Sequence, residues 1–384
     1  MKFHIGLGPA LSDKKGGFIR HLRCFLSAVY ATALGFGRIL LKHFRVTSIR
    51  VLPLPLETPV KINFLRKADL MAMKKIFAII TIWVTLVVFC ALVGEVSVAA
   101  NFGSASADFL NIGVGGRATG MGGAYTAAAD DISSSYWNPA GLSGIESAEI
   151  GFSHISWYQD VNYEHLGAAR RFGERLVLGV SASYLSYGSI QGYDINDLPT
   201  GEIASTYNLA AGVSMGYELF DNVSAGLTVK YIAISLAGTG ASAIAADLGL
   251  KVDLIDKASV GIAVTNIGQK LKFESVEEDL PLNIRAGVAI YPFGPGLVAA
   301  LDAEKQMEGD IILRNGLEIR HDRYSLRGGY SYYPDSDQDP LGQGFSIGAG
   351  ANLGIAQFDY TYSPDNRVSS ENIHRFSITF ALGK

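Results

Sequence analysis

YNLAAGVSMGYELFDNVSAGLTVKY, residues 207–231, alternates in character twice over. Tyr207, Leu209, Ala211, Val213, Met215 and Tyr217 fall on one side, and Asn208, Ala210, Gly212, Ser214, Gly216 and Glu218 on the other. After Phe220-Asp221-Asn222 the pattern resumes, with Val223, Ala225, Leu227, Val229 and Tyr231 against Ser224, Gly226, Thr228 and Lys230. A period of two is the mark of a strand with two unlike faces. Two such strands of about ten residues, joined by a short turn, are long enough to cross a bilayer when tilted. The apolar row then faces hydrocarbon and the small polar row an enclosed interior.

Outward from this hairpin the alternation runs from Ala148 to the last residues. About fourteen segments of this kind begin near Ala148, Asn162, Leu176, Thr206, Asn222, Ile244, Ala258, Leu282, Gly296, Ile311, Tyr324, Gly344, Ile355 and Ile373. Short and long gaps largely alternate between them. The short ones are 172–175, 220–222, 256–257, 321–323 and 353–354; the long ones are 188–205, 236–243, 266–281, 333–343 and 363–372. Transmembrane β-barrels have short periplasmic turns and long outer loops. An even strand count puts both chain ends on the short-turn side. A soluble sandwich has no reason for this alternation.

Charged residues fall on the non-apolar faces: Lys230, Asp247, Lys251, Asp253, Arg285, Asp302, Glu304, Arg314, Glu318, Arg320, Arg327 and Asp359. A basic residue facing lipid at the midplane would cost about 2–4 kcal/mol, so the pattern requires a watery or plugged interior. Tyr184, Tyr217, Tyr231, Tyr291, Tyr332, Tyr360 and Tyr362 lie near strand ends, where aromatic girdles belong.

Of 384 residues, 44 are Gly, 48% are hydrophobic and only 18% are charged. The net charge of −4 conceals a basic head and an acidic body. Residues 1–100 hold 14 Lys and Arg against 4 Asp and Glu, which leaves 18 basic and 32 acidic residues beyond Ala100. An acidic body argues against nucleic-acid binding, which needs cations to neutralise phosphates. Cys24 and Cys90 are both in the head, so the body can hold neither a disulfide framework nor a cysteine metal site.

The head reads as a leader. Met71-Ala-Met73-Lys74-Lys75 is a basic n-region, Ile76–Gly94 is an apolar core, and Val98-Ala99-Ala100 offers small residues for cleavage. Residues 71–100 are therefore expected to be a cleaved signal peptide, and residues 1–70 a non-native extension upstream of the true start. Bulky Phe89 before Cys90 argues against a lipoprotein.

Residues 101–147 separate the leader from the first strand. They carry Gly113-Val114-Gly115-Gly116, Gly120-Met121-Gly122-Gly123, a helix start at Asp130-Asp131-Ile132-Ser133, and a turn at Asn138-Pro139-Ala140-Gly141. The segment is too long for a plain connection. Its small residues and local turns suit a polypeptide threaded into a narrow barrel. The glycines do not read as a dinucleotide site, because no βαβ unit surrounds them.

GRATGMGGAYTAAADDISSSYWNPAGL, residues 116–142, resembles the N-terminal region of the PorV/PorQ family, itself similar to FadL-type outer-membrane channels. The resemblance implies an N-terminal hatch at 101–147 inside a barrel of about fourteen antiparallel strands at 148–384. It implies a structural or gating role for Gly116, Arg117, Gly120, Gly122, Gly123, Asp130 and Asp131, and places Asn138, Pro139 and Ala140 within the lumen. It also implies an outer-membrane location, outer-membrane lipid and the barrel-assembly machinery as partners, and exported proteins or a type IX-like secretion complex as cargo. Departures from the pattern are the basic head and the Leu382-Gly383-Lys384 end after Phe380.

Signals for chemistry are weak. His154, His165, His321 and His374 have no metal spacing, no HExxH occurs, and GxSxG occurs only inside alternating strand segments, at 212–216 and 344–348, with no nucleophile elbow. Asp335, Asp337 and Asp339 alternate like the start of a calcium loop but lack its glycine and distal Glu in register. Arg170-Arg171 is expected at the periplasmic rim. The expectation is thus a non-enzymatic barrel without cofactor or metal, acting as a secretion or cargo-holding factor. The alternative is a FadL-like channel for hydrophobic molecules such as long-chain fatty acids. Such a channel should have an apolar pocket beside the hatch and an interrupted strand near 188–200 or 238–240.

Overall fold

In a computed structural model of the chain, the described residues are 107–156, 161–193, 199–236, 239–255, 257–274, 276–307, 311–333, 344–364 and 372–383. The expected upstream extension and signal peptide, together with Asp335, Asp337 and Asp339, lie outside them.

The strands are β1 (Ala148–Ser156), β2 (Asn162–Phe172), β3 (Leu176–Tyr193), β4 (Pro199–Phe220), β5 (Val223–Leu236), β6 (Thr239–Ile255) and β7 (Ala258–Gly268). They continue with β8 (Leu271–Phe273), β9 (Val276–Glu278), β10 (Asn283–Ile290), β11 (Pro292–Pro295), β12 (Leu297–Gln306) and β13 (Ile311–His321). The last are β14 (Tyr324–Tyr332), β15 (Phe345–Asn352), β16 (Ala356–Pro364) and β17 (Asn372–Leu382).

Fourteen of them form a closed antiparallel transmembrane barrel, each paired with its neighbours in the chain. The ring closes where β1 meets β17, from Ala148 opposite Leu382 to Ser156 opposite His374. β8 and β9 form a separate hairpin between β7 and β10. We call the end with both barrel termini and the short turns the turn end, and the opposite one the loop end. At the turn end Gly173 adopts φ 66° in the turn from β2 to β3, which glycine does without steric cost.

Twelve of the fourteen expected strand starts agree with the observed ones to within a residue. The exceptions are β4, which begins at Pro199, and β6, which begins at Thr239. With β3 and β5 they continue beyond the apolar band, through stretches the alternation assigned to loops. The cause is physical: above the membrane an outward face need not be apolar. Outward positions such as Ser186, Ala233, Ser235 and Ser242 continue the ladder without a hydrophobic signal.

The apolar rows face outward. Val213 is 62% exposed and Leu326 65%, as are comparable residues on every barrel strand, including Phe152, Leu166, Val288 and Phe376. Along β4 the band runs from Tyr207 to Tyr217, a height of about 25 Å at the usual tilt, which matches a hydrocarbon layer. Tyr184 and Tyr207 stack at its loop-end edge. Tyr291, expected in the girdle, turns inward instead. Its hydroxyl lies 3.3 Å from Ser259 Oγ, because Tyr291 continues the inward row of Asn283, Arg285, Gly287 and Ala289 on β10. No helix among the described residues is long and apolar enough to cross a membrane; the crossing is made by strands.

Candidate functional site

Residues 107–147 fill the barrel as a hatch. The segment contains two short helices, α1 (Gly116–Gly120) and α2 (Ser134–Trp137), and 3-10 turns at Asp108–Asn111 and Pro139–Gly144. Most of its hydrogen-bonding groups meet the wall or one another, as buried backbone must. Gly116 N donates to Ser377 Oγ (2.9 Å), and Thr361 Oγ1 donates to Gly116 O (2.6 Å). Gly122 N donates to Ser346 Oγ (3.0 Å), and Ser331 Oγ donates to Gly122 O (2.7 Å). Tyr125 N and Thr126 N both donate to Asp302 Oδ2 (2.9 and 2.8 Å). Ser259 and Lys251 reach Ala127 O (3.0 Å) and Ala129 O (2.8 Å). The chain thus follows the inner wall from β17 around to β6.

It can lie so close because the inward rows carry glycine where it passes. Gly216, Gly226 and Gly249 are aligned across three strands, Gly261 faces Gly287, and Gly316 faces Gly329. A Cβ at Gly329 would sit 2.0 Å from Gly122 N. At Gly226 it would sit 2.1 Å from Pro139 C, and at Gly249 2.1 Å from Asn138 Oδ1.

The Asn-Pro-Ala turn is held there by the Asn138 side chain. Its Nδ2 donates to Thr126 O (2.7 Å) and Leu250 O (3.2 Å), and its Oδ1 accepts from Ala140 N (3.2 Å). Asn138, Pro139 and Ala140 are all buried in the lumen. Upstream, Asp131 Oδ1 accepts from Ser133 N (2.9 Å) just before α2, at the expected helix start.

The interior charges gather into clusters. Arg117 Nε lies 3.2 Å from Glu318, which also meets Arg327 (2.7 Å) and Arg320 (2.6 Å). Arg327 continues to Asp359 (2.6 Å). Arg117 also pairs with Asp130 and donates to the Tyr125 hydroxyl (2.6 Å). Burial disfavours charge on Asp130, but the Arg117 guanidinium outweighs this and holds its carboxyl below the ordinary value. The Asp130 side chain is still 41% exposed, so the pair contributes about 1 kcal/mol or less. In a second cluster Glu304 lies 3.0 Å from both Arg285 and Arg314, and the Arg285 guanidinium packs 5.4 Å from the rings of Tyr136 and Trp137. Lys230 and Asp247 pair at 2.8 Å.

Toward the loop end the lining changes character. Ile155, Tyr163, Leu185, Ile232, Ile234 and Ile373 project inward and are almost fully buried. They join Phe109, Leu110 and Val114 of the hatch in one apolar cluster. Leu271 of the β8–β9 hairpin and Leu280 close over it. The channel alternative called for an apolar pocket beside the hatch, but the alternation did not reveal these packed wall residues, here called the chamber. Its signal is a loss of contrast: around Tyr231-Ile232-Ala233-Ile234 both faces are apolar. The wall glycines were visible on the polar faces, but alternation does not distinguish a glycine that admits a backbone from one that merely points inward.

Between the hatch and the wall there are two small cavities of about 40 and 30 Å³, one against β2–β6 and the other against β1, β2, β16 and β17, and His165 lines both. Its Nδ1 lies 2.8 Å from Ser183 Oγ, while its buried Nε2 has no partner. The other histidines are at strand ends: His154 lies 3.3 Å from Glu164, His321 is exposed, and His374 is 2.8 Å from the Tyr360 hydroxyl. Arg171, at the turn-end rim, donates to Ile145 O (2.8 Å) and pairs with Glu218 (2.9 Å). An irregularity in β3 occurs between Ser186 and Ser189, near Gly188, where the register to β4 shifts. It lies above the hatch. From Leu176 to Ser186 the pairing of β3 with both neighbours is unbroken.

These features define a class: a fourteen-stranded transmembrane β-barrel whose lumen is plugged by its own N-terminal segment. The chain belongs to the uncharacterised protein family UPF0164, which matches residues 91–299. No curated protein matches it. Among solved structures it is similar to the CymD monoaromatic hydrocarbon channel, with 16% identity, 71% of this chain and 98% of that chain covered, and a TM-score of 0.52. It is similar also to the Pseudomonas putida toluene transporter TodX, with 13% identity, coverage of 70% and 97%, and a TM-score of 0.52. A Pseudomonas aeruginosa FadL homologue aligns with 11% identity, coverage of 70% and 98%, and a TM-score of 0.47. At these identities the likeness is one of fold.

Proposed function

We propose that this chain is a non-enzymatic outer-membrane channel for small hydrophobic molecules, delivered by a cleaved signal peptide and inserted by the barrel-assembly machinery. The observation that carries this reading is the apolar chamber at the loop end. An aqueous pore has no use for Ile155, Tyr163, Leu185, Ile232 and Ile234 on its inner face. They are also the surface against which Phe109 and Leu110 lie. Burying each of those side chains is worth about 1.5–3 kcal/mol, so an apolar solute of similar size competes for the same space. Monoaromatic hydrocarbons, named for two barrels of this fold, are of that size. The motif residues Gly116 to Ala140 hold the hatch beneath the chamber and keep the resting lumen closed.

The likeness of Gly116–Leu142 to the PorV/PorQ hatch supports a second reading, a holder of exported proteins. For that role the extension of β3–β6 beyond the apolar band offers an outer surface.

Uptake separates the two. Labelled toluene and a labelled long-chain fatty acid are offered at low concentration to cells that lack their own hydrophobic channels and carry this barrel in the outer membrane. The channel reading expects saturable uptake of at least one probe above the empty-vector rate. Uptake equal to the empty vector, from a barrel shown to be folded, counts against it. Co-purification of exported proteins with the barrel would then favour the second reading.

A further inference from the structure

We propose that solute leaves the loop-end chamber through a seam between the hatch and the wall of β1–β3, past His165 and Ile132, while the hatch stays fastened to β6–β17. The inference rests on the channel reading above and concerns the route within it.

The hatch is held unequally. Toward β12–β17 it is fixed by the Arg117–Glu318–Arg327–Asp359 cluster and by hydrogen bonds of 2.6–3.0 Å at Gly116, Gly122, Tyr125 and Thr126. Parting those contacts strands buried charge, which is costly. On the other side Ile132 N donates to Glu149 Oε2 (3.0 Å) and Arg171 Nε to Ile145 O (2.8 Å) near the turn end, but higher up, beside His165, the contacts are longer. Gly115 N to Ser153 Oγ and Thr228 Oγ1 to Ser135 O are each 3.4 Å.

Both small cavities border this side, and the second also touches Arg117, Asp359, Ser377 and Thr379 at the edge of the fastened side. One touches Leu110 and Tyr163 of the chamber; the other touches Asp131 and Ile132 near the turn end. The His165 ring is common to both, and its unpartnered Nε2 is the buried polar atom a passing water would satisfy. Below it, the Ile132 side chain sits in a notch made by Gly151 and Gly167, opposite one another on β1 and β2. With Leu142, Ile145, Ala169 and Val177 it forms a small apolar cluster of its own. These apolar contacts are non-directional and can slide apart, with the Ile132 N–H to Glu149 Oε2 bond (3.0 Å) to break beside them. A sideways exit into the bilayer at hatch level would require β3 to leave β2 or β4, and its ladder is unbroken there.

The barrel has no cysteine of its own, so introduced thiols report without background. The full chain with Cys24→Ser and Cys90→Ser, in outer-membrane vesicles, carries either Ser181→Cys, in the cavity beside His165, or Ser346→Cys, under Gly122 on the fastened side. A small water-soluble methanethiosulfonate should label the first at least about tenfold faster, because local opening exposes that side more often. Equal labelling, or faster labelling at Ser346→Cys, overturns the seam.

A lock provides the second reading. A Cβ at Gly151 lies 3.9 Å from Ile132 Cβ, within disulfide range. The Ile132→Cys, Gly151→Cys variant should lose toluene uptake when oxidised and regain it in dithiothreitol. Undiminished uptake in the oxidised form overturns the proposal. Should the unmodified barrel pass neither probe, the channel reading fails, while the labelling ratio still decides which side of the hatch opens.

Discussion

The two levels of the lumen are built from opposite materials. At mid-height the hatch backbone lies on a ring of glycines, fixed by hydrogen bonds and by carboxylates each shared among several guanidiniums. Toward the loop end the same polypeptide meets the wall through Phe109, Leu110 and Val114, against isoleucine, leucine and tyrosine. The first kind of contact is directional and costly to break partly, since a lone buried charge remains. The second tolerates substitution by any apolar body of similar volume. One short segment can therefore be a fixed plug at one height and an exchangeable occupant at the other.

The largest expected effect comes from breaking the fixed level at its centre. Glu318 meets Arg117, Arg320 and Arg327, so Glu318→Ala leaves buried guanidiniums without their carboxylate. It should weaken hatch docking by about 3–5 kcal/mol. Faster amide exchange across Gly116–Tyr125, with the barrel strands still protected, is the readout. Unchanged exchange would mean that the cluster does not hold the hatch. A smaller effect is expected from Gly226→Val, whose side chain would enter the space of Pro139 and Ala140. Overpacking of this sort costs about 1–3 kcal/mol. It should appear as protease cleavage within 126–144 of a barrel that still resists unfolding in detergent. The smallest is Ser331→Ala, which removes one donor to Gly122 O at a cost of about 0.5–1.5 kcal/mol. A Ser331→Ala effect as large as that of Glu318→Ala would erase the distinction between charge clamp and ordinary hydrogen bond.

Most of the barrel was legible in the sequence because lipid imposes one demand on every strand. Tyr207 to Tyr231 alternates because one face meets hydrocarbon, and so do the other crossings. The reading ended too early at β4 and β6, where Pro199–Ser205 and Thr239–Ala243 have left the bilayer and carry no such demand. The hatch motif was legible as glycine and Asn-Pro-Ala chemistry, and Asn138, Pro139 and Ala140 are buried against Gly226 and Gly249 of the wall. What Arg117 pairs with was not legible, since Glu318 is 201 residues away and only the barrel register brings them together. The chamber escaped because apolar residues at Ile155, Leu185 and Ile232 weaken the very alternation used to find strands. Interior charge, which had argued for a cargo holder over a hydrophobic path, is gathered into paired clusters, and the Lys230–Asp247 pair borders the same cavity as Leu110 and Tyr163.

Amide hydrogen exchange on the detergent-purified barrel, with and without saturating toluene, tests the division of labour most directly. The account predicts that toluene changes the protection of residues 107–114 by about tenfold or more, and leaves Gly116–Ala129 as it was. Unchanged exchange at 107–114, or an equal change at both levels, would contradict it.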